Sequence, residues 1–242
     1  MSIILIDIGN TRLKWALARG TRIARSAGVE HAGDPAGVLA RLQLPRADAL
    51  WIAHVTGAAN ERALARAARD ACDLPPQFAR SEKKRLGLSN AYREPQRLGV
   101  DRWLAMLAAW SAQRSALCVA DAGTALTVDC VDARGKHLGG IIAPGLVTAQ
   151  RALLGATRFD TRAAPARYSR GLGRDTEACV RQGAYLACVG AIVQAAAPAG
   201  AAAQKISTGG DGPELARGLG GGWHTRPQLV LQGLLALALD AS

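Results

Sequence analysis

Residues 1–15, MSIILIDIGNTRLKW, carry an apolar run that stops at an aspartate, passes a glycine and ends in Asn10-Thr11 before an alternating stretch begins. IILID (residues 3–7) has the length and composition of a buried strand, and RLKWAL (residues 12–17) alternates as a second strand does. An aspartate at the end of a buried strand is costly unless something pairs with it. A glycine beside it lets the backbone approach a ligand closely. Two readings fit: a β-hairpin closed by a polar turn, or a loop built around phosphate and a metal ion. The rest of the chain decides between them.

The same pattern returns at residues 116–140, ALCVADAGTALTVDCVDARGKHLGG. An apolar strand again ends in Asp121-x-Gly123-Thr124, an alternating strand follows, and Ala133-Arg134-Gly135 echoes Ala18-Arg19-Gly20. The copies align with a slip of one residue. A single recurrence at this distance points to two related halves rather than a solenoid, which needs shorter and more numerous repeats; chance similarity of two hairpins is the alternative. A third Gly-rich stretch, KISTGGDG (residues 205–212), reads as a strand entering a loop. Helices are expected over 35–43, 59–72, 100–113, 146–154, Asp175–Ala197 and 228–240, and strands over 22–29 and 49–55. Segment 73–98 reads as irregular loops, as does a Pro/Arg-rich stretch up to 173. Both halves alternate β and α elements, with a boundary near 114–116 that gives domains 1–115 and 116–242.

Composition narrows the classes. With 242 residues, 49% of them hydrophobic, the chain can bury a substantial core and is not of the disordered type. No apolar run reaches the ~18–20 residues of a membrane span without charge or helix breakers. The start lacks a basic n-region and carries an early aspartate, so it does not read as a signal peptide, and a cytoplasmic protein is expected. The odd set Cys72, Cys118, Cys130, Cys179 and Cys188 contains no Cys-x-x-Cys pair and reads as buried, reduced thiols. The histidines His31, His54, His137 and His224 are scattered, so a zinc site is not expected. A net charge of +11 raises nucleic acid as a partner. The arginines are spread through helices such as ERALARAARDAC, however, and 4% aromatic residues leave few stacking platforms. A positive field also suits an anionic small substrate, and nucleic acid is not the expected partner.

Asp-x-Gly-x-Thr at the start, Asp-x-Gly-Thr in the middle and Thr-Gly-Gly late resemble the phosphate-1, phosphate-2 and adenosine motifs of the acetate and sugar kinase, heat-shock chaperone and actin superfamily. Tyr92, then Gly99-Val100-Asp101-Arg102, Asp121-Ala122-Gly123-Thr124-Ala125 and Asp175-Thr176 with Gly183 downstream are similar to type III pantothenate kinase over nearly the whole chain. The resemblance implies an α/β fold of two duplicated RNase H-like, actin-like ATPase domains around a nucleotide cleft. It implies ATP-dependent phosphorylation of pantothenate to 4′-phosphopantothenate, which begins coenzyme A synthesis.

The residues fit that chemistry. Asp101 opens the helix containing WLAMLAAW; the helix dipole stabilises a carboxylate there, which can accept the proton of an attacking hydroxyl as catalytic base. A plain helix-terminal acid is the alternative. Arg102 can make a paired contact with the substrate carboxylate, Tyr92 can cap the vitamin, and Thr176 can bond a substrate polar group, although a threonine at a helix start is as often structural. Gly99 and Val100 complete the substrate motif. The resemblance makes Asp7, Ile8, Gly9, Asn10, Thr11, Arg12, Leu13 and Lys14 the first phosphate loop, with Asp7 ordering Mg2+ and its waters. It makes Asp121 the ligand of a monovalent cation, K+ or NH4+, and Thr124 an ATP contact. Asp129 and Asp132 read as strand and turn residues.

Two rivals remain: another small-molecule kinase of the superfamily, and a regulatory or transcriptional accessory protein that keeps the fold. The segment DTEACVRQGAYLACVGAIVQAAA is apolar around much of its helical circumference, which points to burial against a second copy, with burial in the monomer core as the alternative. A homodimer is therefore expected. In the resembled family the threonine matching Thr176 enters the partner's substrate pocket.

Overall fold

The computed structural model describes residues 1–158 and 168–241. The chain divides into two compact units, Met1–Ala112 with Gln228–Ser242, and Gln113–Pro227.

In the first unit, β1 (Ser2–Ile8), β2 (Arg12–Arg19) and β3 (Arg22–Glu30) form an antiparallel meander. After α1 (Pro35–Ala40), β4 (Ala49–His54) joins β1 in parallel; after α2 (Glu61–Cys72), β5 (Pro76–Phe78) joins β4 in parallel. The sheet order is β3-β2-β1-β4-β5. Strand β1 is central, so it is buried on both faces and reads as a continuous apolar run. Ile4, Ile6 and Ile8 pack with Leu39 of α1 and with Leu64, Ala67 and Ala68 of α2. Because side chains alternate across a sheet, Ile3, Leu5 and Asp7 share the opposite face. A small hairpin of β6 (Lys84–Arg85) and β7 (Leu88–Ser89) precedes α3 (Val100–Gln113).

The second unit repeats this plan. β8 (Leu117–Ala122), β9 (Ala125–Val131) and β10 (His137–Pro144) form the meander. After α4 (Leu146–Ala156) and α5 (Thr176–Ala196), β11 (Gln204–Thr208) pairs with β8 in parallel; after α6 (Gly212–Leu219), β12 (Trp223–Thr225) pairs with β11. The order β10-β9-β8-β11-β12 matches the first sheet strand for strand. Cys118, Ala120 and Ala122 pack against Tyr185, Cys188, Val189 and Ile192 of α5, so Asp121 lies on the other face, as Asp7 does in its own sheet. The duplication expected from the two Asp-x-Gly loops is present. The one-residue slip lies in the turns: Gly9–Thr11 joins β1 to β2, whereas Gly123–Thr124 joins β8 to β9.

Three expectations need correction. The final helix, α7 (Leu229–Asp240), packs on β1, β4 and β2, so it belongs to the first unit and not to a domain 116–242. Segment 73–98 is not wholly irregular, since β5 extends the first sheet at its edge. Of the five thiols, Cys118, Cys130 and Cys188 are buried, Cys72 is half-buried and Cys179 is exposed. The loop expected up to residue 173 falls largely on 159–167, outside the described residues. No described helix is long and apolar enough to cross a membrane.

Candidate active site

Each central strand delivers its aspartate, one residue before the strand ends, into a tight turn. In the first unit Asp7 is 7% exposed and stands opposite Lys14 in the β1–β2 register. Directly opposed residues share a face at roughly 5 Å between their Cβ atoms, so the two side chains leave the sheet on the same side. The turn is closed by the Gly9 N–H donating to the Arg12 carbonyl at 3.0 Å. Arg12 pairs with Glu30 at 3.2 Å on the surface. Ile8 and Leu13 are fully buried in the core, so they can offer a ligand only their backbone. Asn10 and Thr11 are exposed.

Tyr92, Asp101 and Arg102 form a second cluster within the same unit. Asp101 lies in the first turn of α3, and its Oδ1 accepts the Arg102 N–H at 2.8 Å. Arg102 is 6% exposed; its Nη1 donates to the Tyr92 hydroxyl at 3.0 Å, and its guanidinium carbon stands 5.9 Å from the centre of the Tyr92 ring. Buried Asn90 was not singled out from the sequence, yet it holds this loop in shape. Its Oδ1 accepts the Tyr92 N–H at 2.9 Å, and its Nδ2 donates to the carbonyls of Glu82 and Pro95, each at 3.2 Å. Nearby, the Ser81 hydroxyl donates to the Leu98 carbonyl at 2.8 Å. An open cavity of about 370 Å³ is lined by Tyr92, Arg93, Glu94 and Arg97. An asparagine in a polar loop gives no sequence signal of its own; only the three backbone groups around it reveal the role.

In the second unit Asp121 ends against the Gly-rich loop. A Cβ on Gly209, whose φ is +85°, would lie 2.5 Å from Asp121 Oδ1, so the absence of a side chain lets loop and carboxylate touch. The Asp211 N–H donates to the Ala122 carbonyl at 3.0 Å. Burial, helped by neighbouring Glu214, pushes the Asp211 carboxyl above its usual range. Exposed Thr124 has its carbonyl held by the Gly145 N–H at 3.1 Å and by the Thr148 hydroxyl at 2.6 Å. Thr176 is exposed in the first turn of α5; the capping bond there comes from Asp175, whose Oδ1 accepts the Ala178 N–H at 2.7 Å. Asp129, read as a strand residue, also forms a buried 2.9 Å pair with His137. Asp132 is a turn residue as expected: the N–H groups of Lys136 and Arg134 hold its carboxyl below the usual range.

Among the described residues no group of three or more His, Cys, Asp and Glu side chains can hold a metal ion by itself. The donor set at Asp7 still fits Mg2+, which commonly takes one or two carboxylates and draws its other ligands from water and substrate phosphates.

Two sheets of the same strand order, each with an Asp-x-Gly turn at the end of its central strand, give the duplicated α/β fold of the actin-like class. The chain is similar in fold to an archaeal actin homolog (TM-score 0.51, 11% identity, 99% of each chain covered). It is also similar in fold to a Campylobacter jejuni protein assigned by name to the Baf family of transcriptional activators (TM-score 0.67, 18% identity, 98% of each chain covered). Residues 3–197 match the type III pantothenate kinase family, and the chain is 36% identical to the type III pantothenate kinase of Halorhodospira halophila over 96% of both chains. The chain belongs to the type III pantothenate kinase family.

Proposed function

We propose that this chain transfers the γ-phosphoryl group of ATP to pantothenate, giving 4′-phosphopantothenate and ADP. The observation that carries this reading is the family match over residues 3–197 together with the Tyr92–Arg102–Asp101 cluster. Phosphoryl transfer asks a protein mainly for positioning and charge stabilisation. Tyr92 and buried Arg102 form a cationic, aromatic-edged contact suited to the vitamin's carboxylate. Asp101 takes the proton of the attacking hydroxyl as its oxygen bonds to phosphorus and ADP leaves. The turn Gly9–Thr11, closed by its own Gly9 N–H, offers the backbone N–H of exposed Asn10 to phosphate oxygens, and Asp7 and Lys14 flank it with both signs of charge. Asp7 would hold Mg2+, which when bound would supply charge neutralisation at the phosphates. Asp121 serves a monovalent cation, and Thr124 contacts ATP.

The working unit is a homodimer built through the second unit. One side of α5 fills the core with Val180, Ala184, Tyr185, Cys188, Val189 and Ile192. Its other side presents Cys179, Gly183, Leu186, Ala187, Gly190 and Val193 to solvent. Ile142 of β10 (66% exposed) and Leu153 of α4 (44%) add to an apolar surface that a monomer seldom leaves open. In such a dimer Thr176 would complete the partner's substrate site. The facing, free thiols of Cys118 and Cys130 suit a reducing cytoplasm.

The test is ADP release with and without pantothenate, with the phosphorylated product identified by mass. ADP release indifferent to pantothenate overturns the reading. Salt-dependent binding of duplex DNA in its place would favour the transcriptional accessory alternative.

A further inference from the structure

His31 follows β3 directly and is 4% exposed. Its backbone N–H donates to the Thr11 carbonyl at 3.1 Å, and its Nε2 lies 2.9 Å from the Gly9 carbonyl oxygen. Its Nδ1 accepts the Gly33 N–H at 3.2 Å. With Nδ1 acting as acceptor, the ring proton sits on Nε2, and Nε2–H donates to Gly9. One residue therefore clasps the first and last residues of the turn Gly9–Thr11.

The second unit provides an internal comparison. Gly145 follows β10 as His31 follows β3, and its N–H donates to Thr124, the last residue of the shorter turn, at 3.1 Å. A Cβ on Gly145 would run into the carbonyl of Gly123, the first residue of that turn. There the two backbones touch and leave no room for a side chain. In the first unit the turn is one residue longer, and the His31 imidazole bridges to the equivalent carbonyl.

We infer that His31 is a positioning residue for the phosphate loop Gly9–Thr11, and that its Nε2–H sets the direction in which the loop presents its backbone donors. A trans peptide is planar, with C=O and N–H pointing opposite ways. Holding the Gly9 carbonyl toward His31 turns the Asn10 N–H away from it, and Asn10 itself is exposed. This inference rests on the reading of Gly9–Thr11 as a phosphate site.

The experiment measures KM for MgATP and for pantothenate, and kcat, in His31→Leu, His31→Gln and Asp7→Asn, with thermal unfolding of each ligand-free protein. Leucine removes the donor but keeps apolar bulk; the glutamine amide restores an N–H near the Nε2 position. His31→Leu should raise KM for MgATP about tenfold, because a loop no longer held in place must be ordered when the nucleotide binds. KM for pantothenate should be unchanged, and His31→Gln should recover most of the loss. Should the His31→Leu chain not fold, His31→Asn, too short to reach Gly9, takes its place. Unchanged KM for MgATP in His31→Leu, alongside a raised value in Asp7→Asn, overturns the inference and leaves the loop reading standing. Unchanged values in both variants overturn the loop reading and the inference with it. Equal losses in His31→Leu and His31→Gln assign His31 a space-filling role and also overturn it.

Discussion

The Asp101 carboxylate lies over the α-carbon of Gly99: a Cβ there would stand 2.7 Å from Asp101 Oδ1. The glycine of the Gly-Val-Asp-Arg element thus makes room for the carboxylate two residues on. Asp101→Asn should keep the thermal unfolding midpoint and lower kcat by ~10²–10⁴, the range for a positioned base. Gly99→Ala should displace the carboxylate and lower kcat about tenfold or more with an intact fold. Near-normal turnover in folded Asp101→Asn removes the base role.

Tyr92→Phe deletes the hydroxyl that Arg102 Nη1 reaches at 3.0 Å but leaves the ring. One lost charged hydrogen bond is worth about 1.5–3 kcal/mol, discounted here because Tyr92 is half-exposed. KM for pantothenate should rise about three- to tenfold while KM for MgATP holds. A rise confined to MgATP would move this pair out of the vitamin's site.

Activity should require a divalent ion and respond to the monovalent one. The chain has no Gly-x-x-x-x-Gly-Lys-Ser/Thr loop, so charge at the transferred phosphate has to come from ions and scattered basic residues. Asp121→Ala should flatten the response to K+ more than it lowers stability. Equal rates in sodium-only and potassium buffers would sink the monovalent assignment.

His54 gives a pH-dependent stability term. Burial lowers its pKa from the ordinary 6.5, partly opposed by Glu61 at 3.4 Å. The unfolded chain therefore takes up the proton first on acidification. This contribution is fully present above about 6.5 and is lost as pH falls toward the lower folded value. Urea midpoints should decline from pH 7.5 to 5.5, and His54→Gln should flatten that decline. Parallel profiles would place its origin elsewhere.

If Thr176 serves the partner's site, Asp101→Asn and Thr176→Arg chains should complement each other. Co-refolded heterodimers carry one intact site and should recover activity that neither mutant has alone. Confirmed heterodimers without recovery would assign both residues to one chain's site, or remove Thr176 from it.

What the sequence made legible is what periodicity and turn chemistry encode. Asp7 and Asp121 stood out because an apolar run ended at each and a glycine followed. β5 and β12 span three residues each and are held by pairing to a neighbouring strand, so they leave no periodic trace. The helix α7 was visible as a helix, but nothing in LVLQGLLALALD says which sheet it covers. His31, Asn90 and the Asp129–His137 pair act through partners brought near by folding, and each looks in sequence like an ordinary polar residue.

The packing of α7 has a consequence for how the chain is made. Residues 113–227 separate Met1–Ala112 from the segment that completes its unit. On the ribosome, at about 5–20 residues per second, the first sheet waits several seconds with the Ile3 and Leu5 face uncovered. The later-made unit is contiguous in sequence and needs no segment made after residue 227 to complete it. Synthesis therefore runs from first to last, while completion runs the other way, and the interval in which the early half is most open to chaperones or to aggregation ends only when the final helix emerges.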